Sequence, residues 1–367
     1  MAPSARIHRR QYFALLGALV ALSMVGIAGA PPSNGAPNPH LAGMRGGADT
    51  PGATGNSPLV APPDPSGLPD LTHLPAAAHV SPPLLLGEAI PRPWSAAPRL
   101  RAPRAVPDLS ARAVVIVDEA SGAVLLGHHE RRPLPPASLT KMATAILAAE
   151  HGDLDAEIET DVDSRDMTTS SVMGLLPGDR FTLRDLLYGL MLPSGNDAAL
   201  AIARGVSGSD ARFVHEMNDL ARRLGLTETH FENPHGLSSR RHYSSAYDLA
   251  IIARYYMSLD PLPEIAATTD WTASGSREIE MTTLNPLLAD YEGADGVKTG
   301  YTESAGQTFV ASATRDGHRL YVVLLHDSQR AADARALLDW AFASYTWGGV
   351  APRTAVPPED GDREPDG

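Results

Sequence analysis

Ser138 and Lys141 are the first pair in this sequence able to do covalent chemistry together. They sit in Pro135-Pro136-Ala137-Ser138-Leu139-Thr140-Lys141, ahead of a run of strong helix formers from Met142 to Glu150. Two prolines stop a preceding strand and can open a helix. At positions i and i+3 the hydroxyl and the amine then share one helix face. Leu139, Met142, Ala143, Ile146 and Leu147 form the other, apolar face. A serine is a weak nucleophile until a base takes its proton. A lysine is that base only when neutral, which burial and a second nearby cation both favour.

Two further groups carry the same kind of promise. Pro193-Ser194-Gly195-Asn196 reads as a tight turn between two helices, with two polar side chains flanking a glycine. Ser194 could relay a proton between Lys141 and a leaving amine, and Asn196 could bond a substrate amide and hold Lys141. Asp295-Gly296-Val297-Lys298-Thr299-Gly300-Tyr301-Thr302 reads as the start of an edge strand. There Lys298 offers a cation, Thr299 a donor for a carboxylate, and Gly300 room for a substrate backbone to approach. Taken singly, each group has a structural reading: a chance Ser-x-x-Lys, a helix N-cap at Ser194 or Asn196, a solvated Lys-Thr pair.

Their order changes that. Ser-x-x-Lys, Ser-Gly-Asn and Lys-Thr-Gly follow one another here, a set related to that of penicillin-binding proteins and class A β-lactamases. The chain resembles the low-molecular-mass penicillin-binding DD-carboxypeptidases, peptidase family S11. Leu134 to Met142, Phe231-Glu-Asn-Pro-His-Gly-Leu237, Ser245-Ala-Tyr-Asp-Leu249, Asp295 to Thr302 and Leu337-Leu-Asp-Trp340 carry the likeness, over about residues 109 to 346. Ser-Gly-Asn in place of Ser-Asp-Asn favours this family over class A β-lactamases.

The resemblance implies a D-Ala-D-Ala carboxypeptidase acting on peptidoglycan stem peptides, with no cofactor and no metal, and acylated by β-lactams. It assigns Ser138 as the acylated nucleophile, Lys141 as its base, and Ser194 and Asn196 as the proton and amide network. Lys298 and Thr299 would orient the terminal carboxylate. The N–H groups of Ser138 and Tyr301 would form the oxyanion hole, and Gly300 between Thr299 and Tyr301 belongs to the same substrate-binding group. Arg330, placed by its spacing from Leu337, would help bind the carboxylate. DD-endopeptidase action on cross-links uses the same residues and stays open, as does a penicillin-binding sensor that does not turn over. A β-lactamase is disfavoured, because Glu-x-x-Leu-Asn does not occur; Glu280 precedes Leu284-Asn285 with one residue too many.

The elements around these groups predict an α/β (α+β) domain over residues 109–346. Ala113 to Val117 and Ala123 to Leu126 read as a hairpin turned at Ser121-Gly122. From Ser138 to about Leu259 the pattern is mostly helical, with 3.6-residue periodicity in Leu183–Leu192, Asp197–Arg204, Ala211–Leu224 and Ala246–Met257. Strands return from Gly296, with Gln307–Ala313 and Arg319–Leu325 flanking the turn Arg315-Asp316-Gly317. Ala331–Tyr345 reads as a closing helix with Ala334, Leu337, Leu338 and Phe342 on one face. Strands at both ends that pair make one antiparallel sheet flanked by helices, with an inserted helical lobe, a DD-peptidase/β-lactamase-like fold by the resemblance.

Composition bounds the rest. The 367 residues are 43% hydrophobic, enough for one sizeable core or two modest ones. A net charge of −13 and the lack of a basic stripe exclude nucleic acid as a partner. No cysteine is present, which removes thiol nucleophiles, disulfides and cysteine zinc sites. Thirteen histidines include no His-Glu-x-x-His, and His128-His129-Glu130 reads as turn surface. Residues 1–30 read as a signal peptide or N-terminal membrane anchor. Arg6, Arg9 and Arg10 precede an uncharged run from Tyr12 to Ala28, and Ala28-Gly29-Ala30 has the form of a cleavage site, followed by Pro31. An extracytoplasmic location follows, secreted or held at the outer face of the membrane. Residues 31–108 are rich in Pro, Gly, Ala and Ser and read as a disordered linker. Residues 347–367 are Pro-rich and acidic and read as a disordered tail, so any anchor is expected from the N-terminus.

Overall fold

The structure, a computed structural model, describes residues 95–348. The leader, most of the linker and most of the acidic tail lie outside the described residues.

A five-stranded antiparallel sheet organises the chain. β1 (Arg99–Leu100) is a two-residue strand; β2 (Ala113–Asp118) and β3 (Val124–His128) form the first hairpin. A 3-10 turn (Ala137–Thr140) leads into α1 (Lys141–His151). Two short strands, β4 (Glu157–Glu159) and β5 (Arg180–Thr182), precede α2 (Leu183–Met191), α3 (Asn196–Ser207), α4 (Asp210–Arg223), α5 (Ala246–Tyr256) and α6 (Leu262–Ala267). A second hairpin, β6 (Asp270–Ser274) and β7 (Glu278–Thr282), closes this lobe. Then β8 (Ala294–Thr302), β9 (Gly306–Arg315) and β10 (His318–Asp327) return to the sheet, followed by α7 (Arg330–Ser344) and β11 (Tyr345–Thr346). The sheet order is β3-β2-β10-β9-β8, so strands from the two ends of the domain pair at β2·β10, as expected.

Both faces of the sheet are covered, and the alternation along each strand sorts the residues between them. Ala113, Val115 and Val117 of β2 and Tyr321, Val323 and Leu325 of β10 face the helical lobe. They pack with Met142 and Ile146 of α1 and Leu249 and Ile252 of α5. Val114, Ile116, Leu320, Val322 and Leu324 face the other way, onto Ala334, Leu337 and Leu338 of α7. The helix starts follow local chemistry. Thr182, Ser209 and Ser245 each accept a hydrogen bond from a backbone N–H in the first turn of α2, α4 and α5. Gly208 ends α3 at φ 78°, a left-handed cap that a side chain would strain.

The domain reaches further out than its expected limits of 109 and 346. Arg99 and Leu100 pair with Thr346 and Tyr345, and Arg101 N–H donates to Ser344 O at 2.7 Å. Trp340 Nε1 donates to Arg104 O at 3.2 Å. The last residues of the expected linker are therefore part of the folded unit. Backbone-to-backbone bonds hold an extended Pro-rich chain without any apolar period, so composition conceals it. Trp347, expected in the tail, donates to Asp118 at 2.7 Å and stacks on His318. The lobe is also less purely helical than expected: β4 and β5 lie within the stretch read as mostly helical, and β6 and β7, beyond its expected end at about Leu259, alternate exposed and buried residues, with Ile279 and Met281 inward. Among the described residues no helix is long and apolar enough to cross a membrane.

Candidate active site

The three groups picked out above meet in one open cleft, between β8 and the helical lobe. Ser138, Ser194, Asn196, Thr299, Gly300, Tyr301 and Arg330 all line it. Lys141 and Lys298 lie beneath its floor, each almost wholly buried.

Ser138 sits in the 3-10 turn, one step before α1 rather than within the α-helix. The residue ahead of it, Ala137, is held at φ 51°, in the left-handed region that alanine seldom adopts. Such strain persists only where surroundings over-determine it, and here they do. Thr308 Oγ1 donates to Pro136 O at 3.1 Å. Gly236, itself at φ 90°, lies against Ala137 O so closely that no side chain fits between them. Thr140 Oγ1 is 2.8 Å from His242 Nε2. Glu232 N–H donates to His242 Nδ1 at 3.1 Å, so the lone pair is at Nδ1 and Nε2–H donates to Thr140.

The hydrogen-bond set of Lys141 decides what it can do. Its Nζ is 3.0 Å from Ser138 Oγ, 2.6 Å from Asn196 Oδ1 and 2.8 Å from His235 O. Asn196 Oδ1 and His235 O are acceptors only. A neutral amine gives its two N–H groups to them and keeps its lone pair for the Ser138 hydroxyl. The electrostatics favour that state. Burial pushes the Lys141 amine well below the usual lysine range, and the Lys298 cation pushes it further, against the opposing pull of Asp197. Burial and the Arg330 guanidinium lower Lys298 to about 7. Burial, then Lys141, then His242, bring His235 down to about 3, so its ring is neutral.

Ser194 is likewise in the left-handed region, at φ 64°, and its buried Oγ has no partner among the described residues. A buried hydroxyl left open is costly unless a ligand or a passing proton uses it. Gly195 permits the turn: a Cβ there would lie 2.8 Å from Gly189 O and 2.9 Å from Met173 N. Asn196 is the first residue of α3, and Asp197 follows it into the interior. The Asp197 carboxylate accepts from the N–H groups of Met173, Gly174 and Leu175 at 2.7–2.9 Å. It thereby fixes the segment whose Thr169, Ser170 and Ser171 form one wall of the cleft.

The opposite wall is β8, an edge strand as expected. Asn285 Nδ2 donates to Gly296 O at 3.0 Å and anchors its start. Lys298 Nζ donates to Thr299 O at 3.0 Å, its one protein acceptor among the described residues. A Cβ on Gly300 would lie 2.9 Å from Ser138 N, so glycine is what lets strand and nucleophile turn approach. Arg330, at the first turn of α7, donates to Gly300 O at 2.7 Å. All nine residues picked from sequence thus fall in or directly under the cleft. Sequence reasoning missed its backbone parts, His235 O and Gly236. It also missed Asp197, whose only sequence signal was an acid in the first turn of a helix, and the apolar Leu237 and Leu284 at the mouth.

The family described as D-alanyl-D-alanine carboxypeptidase matches residues 101–329. The Bacillus subtilis D-alanyl-D-alanine carboxypeptidase DacF is 35% identical over 245 residues, 64% of this chain; the chain spans just 63% of that relative's length. The Mycobacterium tuberculosis relative DacB2 is 36% identical over 247 residues, 65% of this chain and 84% of its own. Among solved structures, the Streptomyces K15 DD-transpeptidase aligns with a TM-score of 0.62 and 30% identity, over 65% of this chain and 99% of that one. A D-alanyl-D-alanine carboxypeptidase from Mycobacterium tuberculosis aligns with a TM-score of 0.62 and 33% identity, over 70% and 98%.

Proposed function

Since the chain belongs to the D-alanyl-D-alanine carboxypeptidase family, peptidase S11, we propose that it is a serine-type D-Ala-D-Ala carboxypeptidase removing the terminal D-alanine from peptidoglycan stem pentapeptides. The observation that carries this reading is the environment of Lys141: a buried amine, two fixed acceptors, and its remaining position on Ser138 Oγ.

The terminal carboxylate binds at the Lys298, Thr299 and Arg330 end of the cleft. Ser138 Oγ attacks the carbonyl carbon between the two D-alanines as its proton passes to Lys141 Nζ. The carbonyl electron pair moves onto oxygen and is held by the N–H groups of Ser138 and Tyr301; losing one such donor typically costs about 10²–10³-fold in rate. When the oxyanion collapses, the C–N bond breaks and Lys141 returns its proton, by way of Ser194 Oγ, to the departing amine. Water then attacks the Ser138 ester, Lys141 takes a proton from it, and the serine is released with its hydroxyl restored. A β-lactam presents its ring amide to the same serine and leaves it acylated. An amine acceptor in place of water would turn the second step into transpeptidation, the activity for which the K15 neighbour is named, and a cross-linked peptide in place of the pentapeptide would make it endopeptidolysis. A wall substrate places the protein outside the cytoplasmic membrane, secreted or held there by its N-terminal segment.

The test is D-Ala release by the full chain from a pentapeptide ending in D-Ala-D-Ala, beside Ser138→Ala. Release by the wild type alone is expected. Release by neither, with labelled penicillin still acylating Ser138, would leave the acyl-enzyme and remove the carboxypeptidase reading. Absence of both would remove the role of Ser138.

A further inference from the structure

Among the described residues, four large apolar side chains stand out in water: Leu100, Leu237, Leu284 and Tyr301. Single exposed apolar residues need no explanation. Three of these four, however, ring one opening, the mouth of the cleft. They arrive from separate segments, and their backbones are held. Asn233 Nδ2 donates to Leu237 O at 2.9 Å. Leu284 N–H donates to Leu192 O at 3.1 Å. Tyr301 is paired in β8 opposite Gln307. Fixed backbones that hold Leu and Tyr out to solvent around a binding cleft mark a surface that a ligand covers.

The rest of the mouth is uncharged. Thr169, Ser170 and Ser171 offer hydroxyls, and Arg330 is the single charged side chain among the lining residues. Arg330 belongs with Lys298 to the end assigned to the terminal carboxylate, and it already donates to Gly300 O. A side chain at the residue before D-Ala-D-Ala therefore meets apolar and hydroxyl surface with no counter-ion of either sign. An ammonium there is disfavoured twice, by the apolar rim and by the cations beneath the cleft. A carboxylate gains from those cations at long range but loses water against the rim.

Building on the carboxypeptidase reading, we propose that Leu237, Leu284 and Tyr301 are specificity-determining residues that select stem peptides whose residue before D-Ala-D-Ala carries a long side chain with an uncharged end.

The test uses three pentapeptides identical except at that residue: lysine, Nε-acetyl-lysine and Nε-succinyl-lysine, read as kcat/KM for D-Ala release by the full chain. The acetylated peptide is expected to exceed lysine by about tenfold, in the range that one modest apolar contact gives, and to exceed the succinylated one. In Leu237→Ser and Leu284→Ser the acetyl-to-lysine ratio should fall towards one. Because the readout is a ratio within each variant, lost stability does not imitate it. A succinylated peptide turned over best would assign selection to the buried cations instead. Equal rates for all three, or a ratio unchanged in both variants, would overturn the proposal. If no peptide loses D-Ala but penicillin acylates Ser138, the carboxypeptidase reading fails alone. The rim is then read from acylation rates of β-lactams bearing neutral, ammonium or carboxylate side chains, with the same order expected and the same reversals counting against it.

Discussion

β2 and β8 belong to one sheet and are both largely buried, yet they bury different things. β2 (Ala113–Asp118) puts Val115 and Val117 into one core and Val114 and Ile116 into the other, with its one carboxylate, Asp118, bonded to Ser121 and Trp347. β8 (Ala294–Thr302) buries an amine, a threonine hydroxyl and a bare glycine at Lys298, Thr299 and Gly300. Burial of apolar surface contributes about 25 cal/mol per Å² to folding, whereas burial of a lysine works against it. The central strand is thus built for stability. The edge strand gives up stability for a polar wall, and the difference marks where the chemistry lies.

Lys298→Met should produce the largest separation between the two properties. Removing the cation assigned to the substrate carboxylate should lower kcat/KM about 10²–10³-fold, by analogy with loss of a preorganised electrostatic donor. The same change should raise stability, by about 1–4 kcal/mol if it behaves like other buried charges replaced by apolar groups. The sign follows from the lysine's titration. With its folded value lowered to about 7, the burial penalty is fully present below that pH and is relieved as pH rises towards the ordinary lysine range. The wild-type kcat/KM profile should therefore fall on the alkaline side from about pH 7 as Lys298 loses its proton, and the Met variant should lack that limb. Denaturant midpoints and pH–rate profiles read both. A variant that lost stability along with activity would mean that Lys298 is a structural residue.

Ile116→Ala is the counterpart in β2. Ile116 is fully buried between the sheet and α7. Truncation should cost about 2–5 kcal/mol of stability through lost transfer energy and a cavity. The kcat/KM of the folded fraction should change little, because Ile116 packs beneath α7 and is not among the residues that line the cleft. A rate loss as large as that of Lys298→Met would show that the two faces of the sheet are coupled, and would end the division of labour drawn here.

The same contrast explains what sequence could reveal. Elements built from side-chain pattern were legible: the β2–β3 hairpin, α2 to α5, the β9–β10 hairpin and α7 all lie where period and turn residues place them. So were the polar side chains of the cleft, because Ser138, Lys141, Ser194, Asn196, Lys298 and Thr299 stand in short, ordered groups. What escaped was carried by backbone. The pairing of Arg99–Leu100 with Tyr345–Thr346 uses amides that any residue possesses. The carbonyl of His235 that holds Lys141, and the close approach of Gly236 to Ala137, have no side-chain signature either. The β6–β7 hairpin is a different kind of miss. Its alternation at Ile279 and Met281 and its Gly275-Ser276 turn lie between Leu259 and Gly296, a stretch to which the sequence reading assigns no element.

The smallest expected effect tests whether the support beneath the nucleophile turn is as neutral as its hydrogen bonds require. His242 accepts from Glu232 N–H and donates to Thr140, an arrangement open only to the uncharged ring. Burial is the main cause that lowers it to about 4. An ordinary histidine in the unfolded chain takes up its proton near pH 6.5. Between pH 6.5 and about 4 the unfolded state therefore binds a proton that the folded state refuses, and stability falls as pH drops, by about 1.4 kcal/mol per pH unit for one such group. Asp248, raised to about 6 by burial, contributes in the opposite sense over part of this window, since its folded form takes a proton before the unfolded form does. His235 adds to the loss. The net slope of the wild type mixes these three with the lowered His128 and His326 and the raised Asp327, so the informative quantity is the difference between wild type and His242→Gln. That difference should equal the slope of one proton between pH 6.5 and 4 and vanish above 6.5. Parallel stability curves across the window would mean that the His242 ring is not held neutral, and that the contact with Thr140 tolerates a charge directly behind Ser138.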